Sequence, residues 1–308
     1  MWISVQTAVP VSTEFANDGR WPIIHKDFMN CYATLFVNWL IADNGHFEQI
    51  LKRGLWPEIG LQHGGFDWPP ARHKETAAQI RDQGLRCSIH LPFYGVRTGS
   101  ADPVRWRQSQ DILMRALDIC SFYEPDHLIG HPEFQPGLDS LNQVHAAGVE
   151  RLNQNKPSEA WLERSALGWG EVLRNSPARL YLENTSDLSP EALMALLALL
   201  PSQAALCFDV GHWYYAAEGF VRQNLPQWLE AVAPRLQHLH LHDNDGSSDQ
   251  HRGIGLGGID FNAFLSFLGG HGLSPTFTLE AHHISDLDQS RNWLAKLSPE
   301  SPLSGLDD

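Results

Sequence analysis

A chain of 308 residues with 43% apolar side chains has material for one large core, and a chain of that length buries most of the surface its unfolded form exposes. With 22 Lys and Arg against 36 Asp and Glu the net charge is −14, which disfavours a broad nucleic-acid surface, because such a surface needs clustered cations to displace counterions. The start MWISVQTAVP has no basic residues and no long apolar run, and the longest apolar window, ALMALLALLP, is about half the length that spans a bilayer. Cys31, Cys87, Cys120 and Cys207 are scattered without CxxC spacing and read as reduced thiols. Together these features predict a soluble, cytoplasmic protein with no membrane partner.

In chain order, the pattern predicts strands at 2–7, 58–62, 85–91, 127–131, 178–183, 204–210, 236–242 and 276–281. Between them lie amphipathic helical stretches, among them ARHKETAAQIRDQG, VRWRQSQDILMRALDICSFY, PEALMALLALL, LPQWLEAVAP and FNAFLSFLGG. Residues 8–46 are irregular, and 137–175 is long for a single helix. No linker or low-complexity tract interrupts the alternation. Eight strands alternating with helices imply a parallel sheet with right-handed crossovers, and the count suggests closure into a (β/α)8 TIM barrel, one domain over 1–308.

The segment HLHLHDNDGSSDQHRG, 238–253, carries the densest chemistry. On a strand, the period of two points His238, His240 and His242 to one face and Leu239 and Leu241 to the other. Other acidic and imidazole residues fall at predicted strand ends: His90 in CSIHLPFYG, His131 in HLIGHPEF, Glu183 in LYLENTS, Asp209 and His212 in CFDVGHWYYA, and Glu280 in FTLEAH. Asp249 and His251 follow in the loop after the seventh strand. In a barrel of this class the carboxyl ends of the strands and the loops after them form the active face. Any one of these residues alone reads more naturally as a hydrogen-bonded rim residue or loop cap. Together, carboxylates gathered in a low-dielectric mouth repel unless something cationic holds them, and His with Asp and Glu suits a borderline or hard divalent metal.

The ordered motifs HLPFYG, GHPEF, LENTS, DVGHWYYA, HLHDND, DQHRGIGLGGIDF and LEAH, over about residues 85–285, resemble the xylose isomerase-like TIM-barrel superfamily. The similarity is greatest to its endonuclease IV (AP endonuclease family 2) branch and the neighbouring sugar phosphate isomerase/epimerase proteins. The resemblance implies up to three divalent ions, zinc first and manganese second. One ion would take His90, His131 and Glu183. A second would share Glu183 and add Asp209, His240 and Glu280, and a third would take His212, Asp249 and His251. Such a centre suits phosphate ester hydrolysis, with Glu183 beside the nucleophile.

The alternative that the resemblance implies is a sugar or sugar phosphate isomerase or epimerase. It would use one ion on Glu183, Asp209, His240 and Glu280, with the catalytic residues Glu183 and Glu280 as acid and base. Phe93, Tyr94, Trp213, His242 and Arg252 are the substrate-binding candidates, for a small sugar or phosphate ester; HLPFYG departs from the endonuclease sequence at the position that would meet an abasic site. Gly253, Gly255, Gly257 and Gly258 give the following loop a backbone that can approach a phosphate closely or simply turn into the next helix.

Overall fold

The computed structural model describes residues 31–42, 45–62, 65–132, 157–185, 189–216 and 225–296. Among them, eight parallel strands form a closed barrel in chain order: β1 (Tyr32–Phe36), β2 (Trp56–Gly60), β3 (Ser88–His90), β4 (His127–Gly130), β5 (Arg179–Glu183), β6 (Ala204–Asp209), β7 (Leu236–Leu241) and β8 (Thr276–Leu279). The described helices are α1 (Val37–Ala42), α2 (His46–Lys52), α3 (Pro70–Asp82), α4 (Pro103–Tyr123), α5 (Glu159–Asn175), α6 (Pro190–Ala198), α7 (Val210–Ala216), α8 (Leu225–Val232), α9 (Phe261–Gly270) and α10 (Ile284–Ala295).

Local chemistry sets several of these helix starts. Asp102, Ser158, Ser189 and Asp260 each accept a backbone N–H of the first turn with the side chain, before α4, α5, α6 and α9 respectively. Pro103 and Pro190 follow two of these caps, where a missing N–H costs nothing.

Seven of the predicted strands fall on β2 to β8 within a few residues, and one does not. The predicted strand at 2–7 lies outside the described residues, and the place between β2 and β8 is held by Tyr32–Phe36. YATLF runs straight into the helix VNWLIA with no polar turn, so strand and helix make one apolar stretch. Almost fully buried on both faces, the strand shows no alternation to read. Of the long segment 137–175, α5 is the described part.

Alternation along the strands divides the interior in two. Leu128, Leu180, Leu182, Leu206, Phe208, Leu239 and Leu241 join the large core between the strands and the helices. Ile129, Tyr181, Ala205 and Cys207 form a separate buried cluster on the other face, inside the barrel. His238 and His240 are on this inner face, and both are fully buried. The inside therefore becomes polar toward the carboxyl end, where the apolar layer gives way to imidazoles and carboxylates.

Candidate metal centre

His90, Glu183 and Asp209 are the last residues of β3, β5 and β6; His131 and Glu280 follow β4 and β8; His240 is on β7. His212 enters from α7, and Asp249 and His251 from the loop after β7. These nine predicted ligands come together at one end of the barrel, eight of them buried and the Asp249 side chain 13% exposed.

Glu183 and His240 stand at the middle. Glu183 Oε2 lies 3.2 Å from His90 Nε2, 3.1 Å from His131 Nε2 and 3.3 Å from His240 Nδ1, and Oε1 lies 2.9 Å from His212 Nδ1. His240 Nδ1 is also 3.1 Å from Glu280 Oε2 and 3.6 Å from Asp209 Oδ2. On the loop side, Asp249 Oδ2 is 3.3 Å from His212 Nε2 and 3.0 Å from His251 Nε2.

The neighbouring carbonyls decide which ring nitrogen each histidine offers. His90, His212 and His251 place Nδ1 on the carbonyl oxygens of Leu91, Asn184 and Glu280 at 3.0, 3.1 and 3.0 Å. A carbonyl only accepts, so Nδ1 carries the hydrogen and Nε2 keeps its lone pair for the centre. His240 is turned the other way, with Nδ1 among the carboxylates and Nε2 3.0 Å from Glu58 Oε1. His251 holds this position at φ 48, a conformation that costs about 1–3 kcal/mol outside glycine. Its ring is stacked between His242 and His282, with centroids 4.1 and 3.9 Å away.

This donor set fits a divalent metal. Glu183 Oε1, His240 Nδ1, Asp249 Oδ1 and Glu280 Oε2 are buried without a hydrogen bond, a costly state for polar atoms that a cation removes. Glu183, Asp209, His240 and Glu280 each offer an atom within 4.8 Å of the others, the one group of four potential metal ligands among the described residues.

Electrostatics without an ion follow from the same contacts. Burial opposes the charged ring of His251, but Asp249 and Glu280 override it and raise the group to about 9. His212 and His240 are held well above the ordinary imidazole range, against their burial, by Asp209 and Asp249 and by Glu280 and Glu183 respectively. Asp249 is held well below the carboxylate range, against its burial, by His251 and His212. Without an ion, His251 therefore holds its proton at neutral pH.

Two opposite pH trends are expected. A raised folded-state pKa gives stability that is full below the unfolded value of about 6.5 and is lost as pH rises toward about 9. Metal binding must displace the same protons, so zinc affinity rises over that window. Thermal unfolding of chelated protein, beside zinc titration in buffers of different ionisation enthalpy, checks both: a melting temperature that falls with pH, and protons released on binding.

His242, a substrate-binding candidate, adjoins the centre, with Nε2 3.2 Å from Asp209 Oδ1 and 3.7 Å from Asp249 Oδ1. Phe93 stacks on the His131 ring at 4.5 Å, and Tyr94 beside it is 39% exposed. Trp213 is buried in the core. The Arg252 guanidinium reaches Asp245 at the surface, 3.2 Å away. The glycine-rich loop has a use other than phosphate approach: the N–H groups of Gly255 and Gly257 donate to Asp243 Oδ2 at 3.0 and 2.9 Å. A Cβ on Gly257 would lie 2.3 Å from the Asn244 carbonyl oxygen, so the glycine is required by packing.

Sequence reasoning missed Glu58, Asp243 and His282. Glu58 had a signal, as a lone carboxylate in the strand WPEIG. Asp243 was hidden among the other aspartates of HDND.

Similar structures share the fold. A D-tagatose 3-epimerase-like protein is 20% identical, with 86% of this chain and 96% of that chain covered and a TM-score of 0.68. The TTHB071 protein from Thermus thermophilus, soaked with ZnCl2, is 24% identical, with 88% and 98% covered and a TM-score of 0.65. L-ribulose 3-epimerase is 16% identical, with 87% and 85% covered and a TM-score of 0.60. Residues 55–297 match the family described as xylose isomerase-like TIM barrel. On that match, with a closed eightfold parallel barrel around it, the chain belongs to the xylose isomerase-like TIM barrel family.

Proposed function

We propose that the protein is a metal-dependent epimerase or isomerase of a sugar or sugar derivative, built on Glu183, Asp209, His240 and Glu280. The observation that carries this reading is the convergence of those four buried side chains within 4.8 Å, with one histidine nitrogen facing three carboxylates. Two of the similar structures, a D-tagatose 3-epimerase-like protein and an L-ribulose 3-epimerase, support the same class. The expected location is the cytoplasm; among the described residues no helix is long and apolar enough to cross a membrane.

A divalent ion held there, zinc or manganese, would polarise the carbonyl and hydroxyl oxygens of a sugar. The chain's own part is proton transfer. One glutamate carboxylate takes the proton from the carbon next to the carbonyl, and the other, protonated, returns one to the opposite face, so the composition of the sugar is unchanged. Each glutamate has a buried oxygen without a hydrogen bond for this work, Oε1 of Glu183 and Oε2 of Glu280. Phe93, alongside the His131 ring, offers an apolar face for the sugar ring.

A panel of ketoses in deuterated water tests the reading by NMR. Metal-dependent entry of deuterium at the carbon next to the carbonyl is expected. No exchange with any ketose, together with cleavage of a phosphodiester, would overturn it.

One observation favours a second reading, a polynuclear phosphoesterase. His90 and His131 share Glu183 Oε2, and His212 and His251 share Asp249 Oδ2, as two further ions would require.

A further inference from the structure

We propose that Glu58 is a positioning residue for the metal ligand His240, acting from beneath the centre. The inference rests on the reading of His240 as a ligand. Glu58, 1% exposed, is on β2 and points inside the barrel. Its Oε2 accepts from Ser88 Oγ at 3.0 Å and from Thr278 Oγ1 at 2.9 Å, which fixes the carboxylate between β3 and β8. Oε1 is left facing His240 Nε2 at 3.0 Å.

The direction of these contacts follows from the chemistry. Thr278 has one hydroxyl hydrogen, and with Glu58 receiving it, His238 Nε2, 2.9 Å from Thr278 Oγ1, must donate to that oxygen. His238 Nδ1 then accepts from Thr276 Oγ1 at 2.7 Å. The two threonine hydroxyls thus hold His238 as one neutral tautomer, while Ser88 and Thr278 donate to Glu58. A carboxylate ringed by donors is an acceptor on every side, so the hydrogen of His240 belongs on Nε2. The lone pair on Nδ1 is thereby left for a cation in the place that Glu183, Asp209 and Glu280 share. A carboxylate behind a ligating imidazole also strengthens its donor nitrogen, and losing such a partner typically weakens metal binding about 10–100-fold.

Glu58 also lies with His127 and His238 in a second buried group of potential ligands. Both ring nitrogens of His238 are already taken by Thr276 and Thr278, so this lower group supports the upper centre and is not a second ion site.

Zinc titration of metal-free full-length protein tests the role. In Glu58→Gln the amide oxygen can still accept from His240 while the amide nitrogen meets the hydroxyls, so shape is kept and charge is lost. The expected result is zinc affinity about 10–100-fold weaker, with the fold retained by circular dichroism. Unchanged affinity in this variant would overturn the proposal. Should Glu58→Gln not fold, ¹⁵N NMR of the His240 ring in the zinc-loaded wild-type protein decides: zinc on Nδ1 with hydrogen on Nε2 supports the proposal, and zinc on Nε2 overturns it. His240→Ala separates the two levels. If that variant binds zinc as the wild type does, the ligand reading itself fails; if it loses zinc while Glu58→Gln does not, only the role of Glu58 fails.

Discussion

If the protein is the proposed epimerase, Glu280→Gln is expected to slow hydrogen exchange on a reactive ketose by about 10³-fold at saturating zinc, the loss typical when a positioned acid–base group is removed. Glu280 follows β8 and is 6% exposed, and its Oε2 is 3.1 Å from His240 Nδ1 without a hydrogen bond of its own. Gln keeps the size and one oxygen but cannot take up the proton, and it is a weaker ligand. The check is deuterium incorporation by NMR on protein whose metal content has been measured, so that lost proton transfer is separated from lost metal. Wild-type exchange in the variant would remove Glu280 from the chemistry. Glu183→Gln is expected to be as damaging, but because Glu183 is the hub of both readings it cannot choose between them.

Asp243→Ala is expected to lower the unfolding free energy by about 3 kcal/mol or more. Asp243 is fully buried, and its carboxylate accepts four backbone N–H groups: Asn244 at 2.9 Å and Ile259 at 3.2 Å on Oδ1, with Gly255 and Gly257 on Oδ2. Removing the side chain leaves several of these donors buried without a partner, at about 1–3 kcal/mol each before relaxation. The same anchor carries a two-way backbone bridge to Arg252, next to His251. Asp243→Asn, which keeps one acceptor oxygen, should cost less. Urea unfolding of the two variants measures the difference as a shift in midpoint at constant slope, and equal stability of Asp243→Ala and wild type would contradict this account of the loop.

Much of the site was legible because a barrel puts strand ends at one place. Once eight strands alternate with helices, a polar residue closing an apolar run has a known destination, and His90, Glu183, Asp209 and Glu280 went there. The period of two likewise put His238, His240 and His242 on one common face. What it could not read was depth. His238 and His240 share that face, and only the hydroxyls of Thr276 and Thr278, contributed by the neighbouring strand, fix the first as a packed histidine. Nor could spacing say which ring nitrogen points at the centre, since backbone carbonyls distant in sequence decide it: that of Asn184 for His212, and that of Glu280 for His251. Glu58 escaped because its partners lie on β3, β7 and β8, far along the chain. The first strand escaped because burial on both faces erased its pattern.

The most direct test of the central claim is metal content per chain, by elemental analysis of protein purified without chelator or affinity-column metal, in wild type, His90→Ala and His251→Ala. An ion held by Glu183, Asp209, His240 and Glu280 predicts a value near one that persists in both variants and is lost in His240→Ala. A value near three that falls in His90→Ala and His251→Ala would contradict the mononuclear epimerase and establish the polynuclear centre in its place.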